Sequence, residues 1–442
     1  MSSAETLWNE GRELHSNGKF LEAADKYTNV ILAPGEHPRI KSHALNNLAI
    51  ILQGLGHMDK AAAALVYAQQ MNPDCAEILN NFGNCRLYLG DYAGANAYFL
   101  KAIAKNPKAP DARLNSAVIA LLTGDLPRGW REYEWRWKVP TFSTKPFKTN
   151  KPRWKGQSFK GKTLLLTHEQ GFGDSIMFSR YFPAVKERGG RVLFVGPPEL
   201  ECILTRVRGL DEYLTYLDGA EFDFHCPLLS LPNLFNTRLG NIPSEVPYID
   251  LGGDQNPSTS RECALPACRP INASGTHMIA PGDGAGHPNH GVTKSLKVGI
   301  AWAGRPEHGK DKWRSTKLEQ WKDLLSVPGV EWFSFQVGKQ AGQVKDFPHV
   351  TDLSPQIKDY LDTAHLLQGI DLLISVDTSV VHLAGALAKP VWMLTPYNPD
   401  WRWLLETETS EWYPQMRLFR QPAIDDWASV FERVRKELCT FA

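Results

Sequence analysis

Residues 372–395, LLISVDTSVVHLAGALAKPVWMLT, read as strand, polar turn, helix and second strand in unbroken succession. Each strand run is short, apolar on both faces and rich in β-branched or aromatic residues, while the segment between them keeps apolar residues at helical spacing. Strands of that kind joined by a helix belong to a parallel sheet covered on both sides. The alternation continues outward: KVGIAWAG (297–304), EQWKDLLS (319–326), EWFSFQVG (331–338) and YLDTAHLLQG (360–369) precede it in order. A separate set lies upstream, with TLLLT (163–167), a helix through SIMFSRYFPAVKERG (175–189), RVLFVGP (191–197) and YLTYL (213–217). Two nucleotide-fold halves are therefore expected, over 162–251 and 296–442, the second ending in a helix that crosses back to the first.

The N-terminal third follows a different rule. Gly56, Gly90 and Gly124 recur every 34 residues, and Ala49, Gly83 and Ala117, Ala61, Ala95 and Gly129, and Leu65, Phe99 and Tyr133 keep the same step. That is the tetratricopeptide period, with small residues where paired helices approach closely. Gly11, Gly18, Ala23 and Tyr27 supply an earlier copy, offset by four residues around PGEHPRI. Four helix pairs are expected between about residues 4 and 138, making 1–138 an α-solenoid whose concave face suits an extended peptide or a protein. A plain helical bundle, or repeats that only dimerise or buttress the chain, are the alternatives.

Between solenoid and first half, 139–161 reads as a connector. Trp130, Trp135, Trp137 and Trp154 interleave with basic residues around it. A nucleic-acid strip has that look, but the helical spacing of Trp130 and Trp137 favours a packed junction. Residues 252–295 are rich in Gly, Pro, Ser, Asn and His without apolar periodicity and read as a flexible insertion; His277, His287 and His290 within it make a poor ligand set. With 49 basic against 48 acidic side chains, the 442 residues give no sign of a polyanion partner. The polar N-terminus and the absence of long apolar runs point to a cytoplasmic protein without a membrane span. Cysteines 75, 85, 202, 226, 263, 268 and 439 contain no CxxC pair, which fits reduced thiols rather than disulfides or structural zinc.

Two stretches carry a resemblance: HEQGFGDSIMFSRYFPAVK (168–186) and ISVDTSVVHLAGALAKPVWMLTP (374–396). Through them residues 162 to about 435 resemble the heptosyltransferase-type glycosyltransferases, the ninth family of that classification, whose GT-B architecture pairs two Rossmann-like domains. With its repeats the chain is also similar to bacterial tetratricopeptide glycosyltransferases and, more distantly, to protein O-linked N-acetylglucosamine transferases. In the first stretch Gly171 and Gly173 allow a tight turn and close backbone approach by a ligand. The resemblance implies that Asp174 is the general base for the acceptor hydroxyl; as a bare residue it also suits a helix cap. Glu169 is the reserve base, and His168 lies on the same turn.

In the second stretch a helix start beneath a strand end makes an anion site. The resemblance implies that Asp377, Thr378, Ser379 and His382 contact the donor's phosphates and sugar. His382 equally suits a packed, hydrogen-bonded histidine. This chain has Asp-Thr-Ser where heptosyltransferases have Asp-Thr-Gly. A third loop, AGRPEHGKDKWRS (303–315), places Lys310, Lys312 and Arg314 at another strand end, and the resemblance implies that Arg314, then Lys312, neutralises the leaving diphosphate. A solvated charged loop is the plain alternative.

No DxD pair stands at a strand end, so no metal or other cofactor is expected beside the nucleotide-sugar co-substrate. Walker, GxGxxG and GxSxG signatures are absent, which argues against an ATPase, a dinucleotide oxidoreductase and an α/β-hydrolase. Trp401 and Trp403, in the closing segment PYNPDWRWLLETETSEWYPQMRLFRQP (396–422), suit stacking on the donor but more simply packing. The resemblance thus implies a hexosyl- or heptosyl-type GT-B glycosyltransferase, inverting, acting on a bacterial protein or peptide such as a flagellin-like one. The alternatives are a non-catalytic adaptor and a heptosyltransferase acting on glycan or lipopolysaccharide.

Overall fold

The computed structural model describes residues 3–35, 37–217, 219–252, 295–307, 309 and 311–441. Lys310 and the histidines 277, 287 and 290 lie outside them. The chain divides into two compact units, Met1–Phe142 and Ser143–Ala442.

The first unit is all helix, in four antiparallel pairs: α1 (Ser3–Ser16) with α2 (Phe20–Leu32), α3 (Pro38–Gly54) with α4 (Met58–Met71), α5 (Ala76–Tyr88) with α6 (Tyr92–Lys105), and α7 (Pro110–Leu122) with α8 (Leu126–Tyr133). Gly18, Gly56, Gly90 and Gly124 have φ of 75°, 86°, 77° and 85°, and they end the first helix of each pair. That left-handed geometry is costly for a residue with a Cβ, which accounts for the periodic glycine. Small residues at the crossings are equally constrained: a Cβ on Gly83 would stand 2.4 Å from the Phe99 ring, and one on Gly11 2.8 Å from Tyr27. Ala61, Leu65, Ala95 and Phe99 are fully buried, as the repeat register requires.

In the second unit, β1 (Thr163–Thr167) leads into α9 (Phe172–Phe178) and α10 (Phe182–Lys186). Next come β2 (Arg191–Val195), α11 (Glu201–Leu204), β3 (Glu212–Leu214), β4 (Phe224–Pro227) and α12 (Leu231–Leu234). These strands form a parallel sheet in the order β3-β2-β1-β4. The second set begins with β5 (Leu296–Ala301), α13 (Asp311–Arg314), α14 (Lys322–Leu325), β6 (Val330–Ser334) and β7 (Val350–Asp352). It continues through α15 (Tyr360–Gln368), β8 (Leu372–Val376), α16 (Ser379–Ala386), β9 (Val391–Thr395), β10 (Met416–Arg420) and α17 (Trp427–Phe441). Its parallel sheet has the order β10-β9-β8-β5-β6-β7.

The strand orders reverse at two places, between β1 and β4 and between β5 and β8. In open parallel sheets, ligands settle outside the carboxyl ends of strands at such reversals. Both Gly-rich β1 exit and the β5 and β8 exits therefore occupy the positions that the topology reserves for binding.

Two expectations need correction. Only 139–142 fall with the helical unit; the rest of the expected connector belongs to the α/β unit, where Arg153 bridges to His225 and the buried Trp154 meets Phe159 and Phe235 edge-on or tilted. The final helix α17 packs Trp427, Val430, Phe431, Val434 and Leu438 into the core beneath the second sheet, with Trp321 and Trp332. Contact back to the first half comes instead from the segment before it, through Arg402 and Trp412.

Candidate active site

At the exit of β1 the chain turns through Gln170, whose φ is 65°, and enters α9 at Phe172. The Asp174 carboxylate reaches back to accept from the Gly171 N–H at 2.9 Å, which caps the helix, and its other oxygen accepts from the Arg402 guanidinium. Arg402 lies in the closing segment of the second half, also donates to Asp400 at 2.5 Å, and packs over the Trp401 ring. Both members of the Asp174 pair are largely enclosed, with side chains 15% and 8% exposed. His168 meets Ser175 through Nδ1 at 2.7 Å; burial holds its pKa below the ordinary value, against the pull of Asp174. Glu169 is fully buried.

The exit of β8 presents Asp377, Thr378 and Ser379. Asp377 accepts from the Trp403 indole N–H at 3.0 Å. Burial pushes its pKa up, and Asp400 adds to this, while Arg314, Trp403 and Arg402 pull the other way. Thr378 precedes α16 without capping it; its hydroxyl lies 3.3 Å from that of Ser375, and the Ser379 hydroxyl accepts from Tyr360 at 2.7 Å. His382 is buried, bonded through Nδ1 to the Tyr413 hydroxyl at 3.0 Å and stacked on Trp403 at 5.4 Å. Burial, with the charges of Arg402 and Arg180 beside it, holds its pKa well below that of free histidine, so the ring is neutral at pH 7.

The two exits meet. A Cβ on Gly173 would lie 2.6 Å from His382 Cδ2, so this glycine is what lets α9 and α16 approach. Arg180, buried behind them, donates to the carbonyls of Met177 (2.7 Å), Pro243 (3.0 Å) and Trp412 (2.6 Å), tying the first half to the closing segment. At the exit of β5, Arg314 pairs with Asp311 at 3.3 Å; Ser315 donates to the same carboxylate and accepts from the Gly304 N–H. The Arg314 charge acts on both Asp377 and His382. Lys312 is exposed and rests on the Trp313 ring at 4.5 Å.

The structure thus gathers Asp174, Asp377, His382 and Arg314 at one place, encloses Glu169, and leaves Lys312 on the surface. Trp401 and Trp403 are buried packing residues, the simpler of their two sequence readings. Arg402, Asp400, Arg180 and Tyr413 went unread. For Asp400 and Arg402 the one sequence signal is the charged Asp-Trp-Arg-Trp run of the aromatic closing segment; Arg180 and Tyr413 stand inside quoted stretches without any signal of their own.

The repeats carry a polar track of their own. Asn47, Asn81 and Asn115 stand at 34-residue intervals on α3, α5 and α7. Asn81 donates to Asn46 at 2.8 Å and Asn115 to Asn80 and Asn84 at 3.0 Å each, linking one pair's first helix to the next. The step was present in the sequence beside the glycines.

Among known families, the tetratricopeptide repeat matches residues 82–130. Protein FlbA of Caulobacter vibrioides (strain ATCC 19089 / CIP 103742 / CB 15) is 25% identical over 449 residues, which span 90% of this chain and 72% of FlbA. A mutant of the Thermobaculum terrenum O-GlcNAc transferase superposes over 99% of this chain and 92% of its own, at 12% identity and a TM-score of 0.35. The first tetratricopeptide domain of Spaghetti, bound to an HSP90 peptide, matches 26% of this chain and 90% of its own, with 21% identity and a TM-score of 0.25. No helix among the described residues is long and apolar enough to cross a membrane.

Proposed function

We propose that this chain is a glycosyltransferase that moves a sugar from a nucleotide-sugar donor to a hydroxyl of a protein or peptide held by the repeats, with inversion and without a metal. One observation carries the reading: a carboxylate, an uncapped helix start and an arginine, each from a different strand exit, converge at the reversals of two parallel sheets.

The donor's diphosphate sits at the start of α16, where the first backbone N–H groups and the Thr378 and Ser379 hydroxyls donate to it. Asp377 and His382 orient the sugar. Arg314, fixed by Asp311 and close enough to act on Asp377, meets the charge that develops as the bond between C1 and the phosphate oxygen breaks. The acceptor oxygen attacks C1 from the opposite face and gives its proton to Asp174. Each oxygen of that carboxylate keeps a lone pair beyond those bound to Gly171 and Arg402. Asparagine amides along the repeats suit the acceptor's backbone, since an amide donates to a carbonyl and accepts from an N–H at once.

Asp174→Asn tests the reading, because it keeps the side chain's size and capping oxygen. Transfer should fall by about a hundred- to ten-thousand-fold, with donor affinity by calorimetry nearly unchanged. A folded variant transferring at the parent rate makes Asp174 a cap and passes the base to Glu169 or His168. Donor binding without transfer in the parent chain means an adaptor, and transfer only to a glycan acceptor means a heptosyltransferase proper.

A further inference from the structure

Three ligand-type side chains on the repeats have no part in sugar transfer. His43 on α3 and Glu77 on α5 are 34 residues apart, so they hold the same position in consecutive repeats, and the packing of α5 against α3 brings them together. Cys75 immediately precedes α5. Among the described residues, the ligand atoms of His43, Cys75 and Glu77 all lie within 4.8 Å of one another. His43 and Cys75 are partly buried and Glu77 is exposed, so the cluster is closed on one side and open to solvent on the other.

We propose that His43, Cys75 and Glu77 form a binding site for a zinc-type divalent cation that clamps the second helix pair to the third. An imidazole, a thiolate and a carboxylate are the donor set that a borderline cation prefers to calcium or magnesium. Bonds of about 2.0–2.3 Å to a tetrahedral ion set its ligand atoms roughly 3.3–3.8 Å apart. The cluster reaches that spacing by side-chain rotation, with exposed Glu77 free to swing. Three ligands leave the fourth position for water. Asn47 and Asn81 lie four residues beyond His43 and Glu77, one helical turn along the same face, so the clamp fixes the spacing of the amide track. No local motif marks this site, because His43 lies on one helix, Cys75 and Glu77 lie at the start of another, and only His43 and Glu77 share the repeat step.

The test is a titration of the full, chelator-treated chain with cobalt(II) alone. One equivalent should bring up a thiolate-to-cobalt charge-transfer band in the near ultraviolet together with tetrahedral visible bands, and zinc should displace both. Cys75→Ser and His43→Ala should lose the charge-transfer band, although every other cysteine is still present. Glu77→Gln, at an exposed position that cannot endanger the fold, should weaken cobalt binding at least about tenfold. Zinc should raise the melting temperature of the parent and not of Cys75→Ser. A parent without the band, a Cys75→Ser chain that keeps it, or a Glu77→Gln chain of parental affinity overturns the site.

Discussion

His382 is held neutral by burial and by the arginines around it, and this makes stability depend on pH in a definite direction. Its folded-state pKa is depressed, whereas in the unfolded chain it titrates near the ordinary value of about 6.5. Below that value the unfolded chain takes up a proton that the folded one refuses, so the contribution is complete above about pH 6.5 and is lost as pH falls toward the folded-state value. The melting temperature of the parent should therefore drop between about pH 7 and pH 5, and His382→Gln should flatten that part of the profile. An equal slope in both chains would assign the pH dependence to another group. At this scale the sequence was legible for position: Asp174, Asp377 and Arg314 stand at the strand exits where the alternation of strands and helices puts them. Arg402 was not, because its partner Asp174 is close only after two sheets have folded and met.

Among the elements, α9 and α16 depend on each other through one missing side chain. Gly173→Ala would put a methyl 2.6 Å from an imidazole that Trp403 and Tyr413 hold in place, so the helix must shift. A loss of about 1–3 kcal/mol in denaturant unfolding is expected. Gly342→Ala is the contrast: nothing lies within 4 Å of its Cβ and its φ is not left-handed, so stability should hold or rise slightly. Equal effects at the two positions would mean that the close approach is not what Gly173 provides. Helices and long apolar strands were readable from their periods, and the four helix pairs lie where the 34-residue step put them. The strands β4, β7 and β10 were not: β4 is the four residues FHCP, β7 spans three, and β10 interrupts its apolar residues with Arg417, which pairs with Glu437 on α17. Short strands are specified by the neighbours they pair with rather than by their own pattern.

For the whole molecule, the division into Met1–Phe142 and Ser143–Ala442 makes a separable prediction. Residues 143–442 produced alone should bind donor and hydrolyse it slowly while losing transfer to protein. If that truncated chain, folded by circular dichroism, modifies the acceptor as fast as the full chain, the repeats serve some other purpose. The two halves of the larger unit, by contrast, share one constraint. Gly173 comes from the first and His382 from the second, and the space left by one is filled by the ring of the other. Substitutions at such touching positions do not add. As relatives of this chain drift, a side chain at 173 costs least once the imidazole at 382 has been replaced by something smaller, so the easier path takes the two changes in that order although they lie in different halves of the unit.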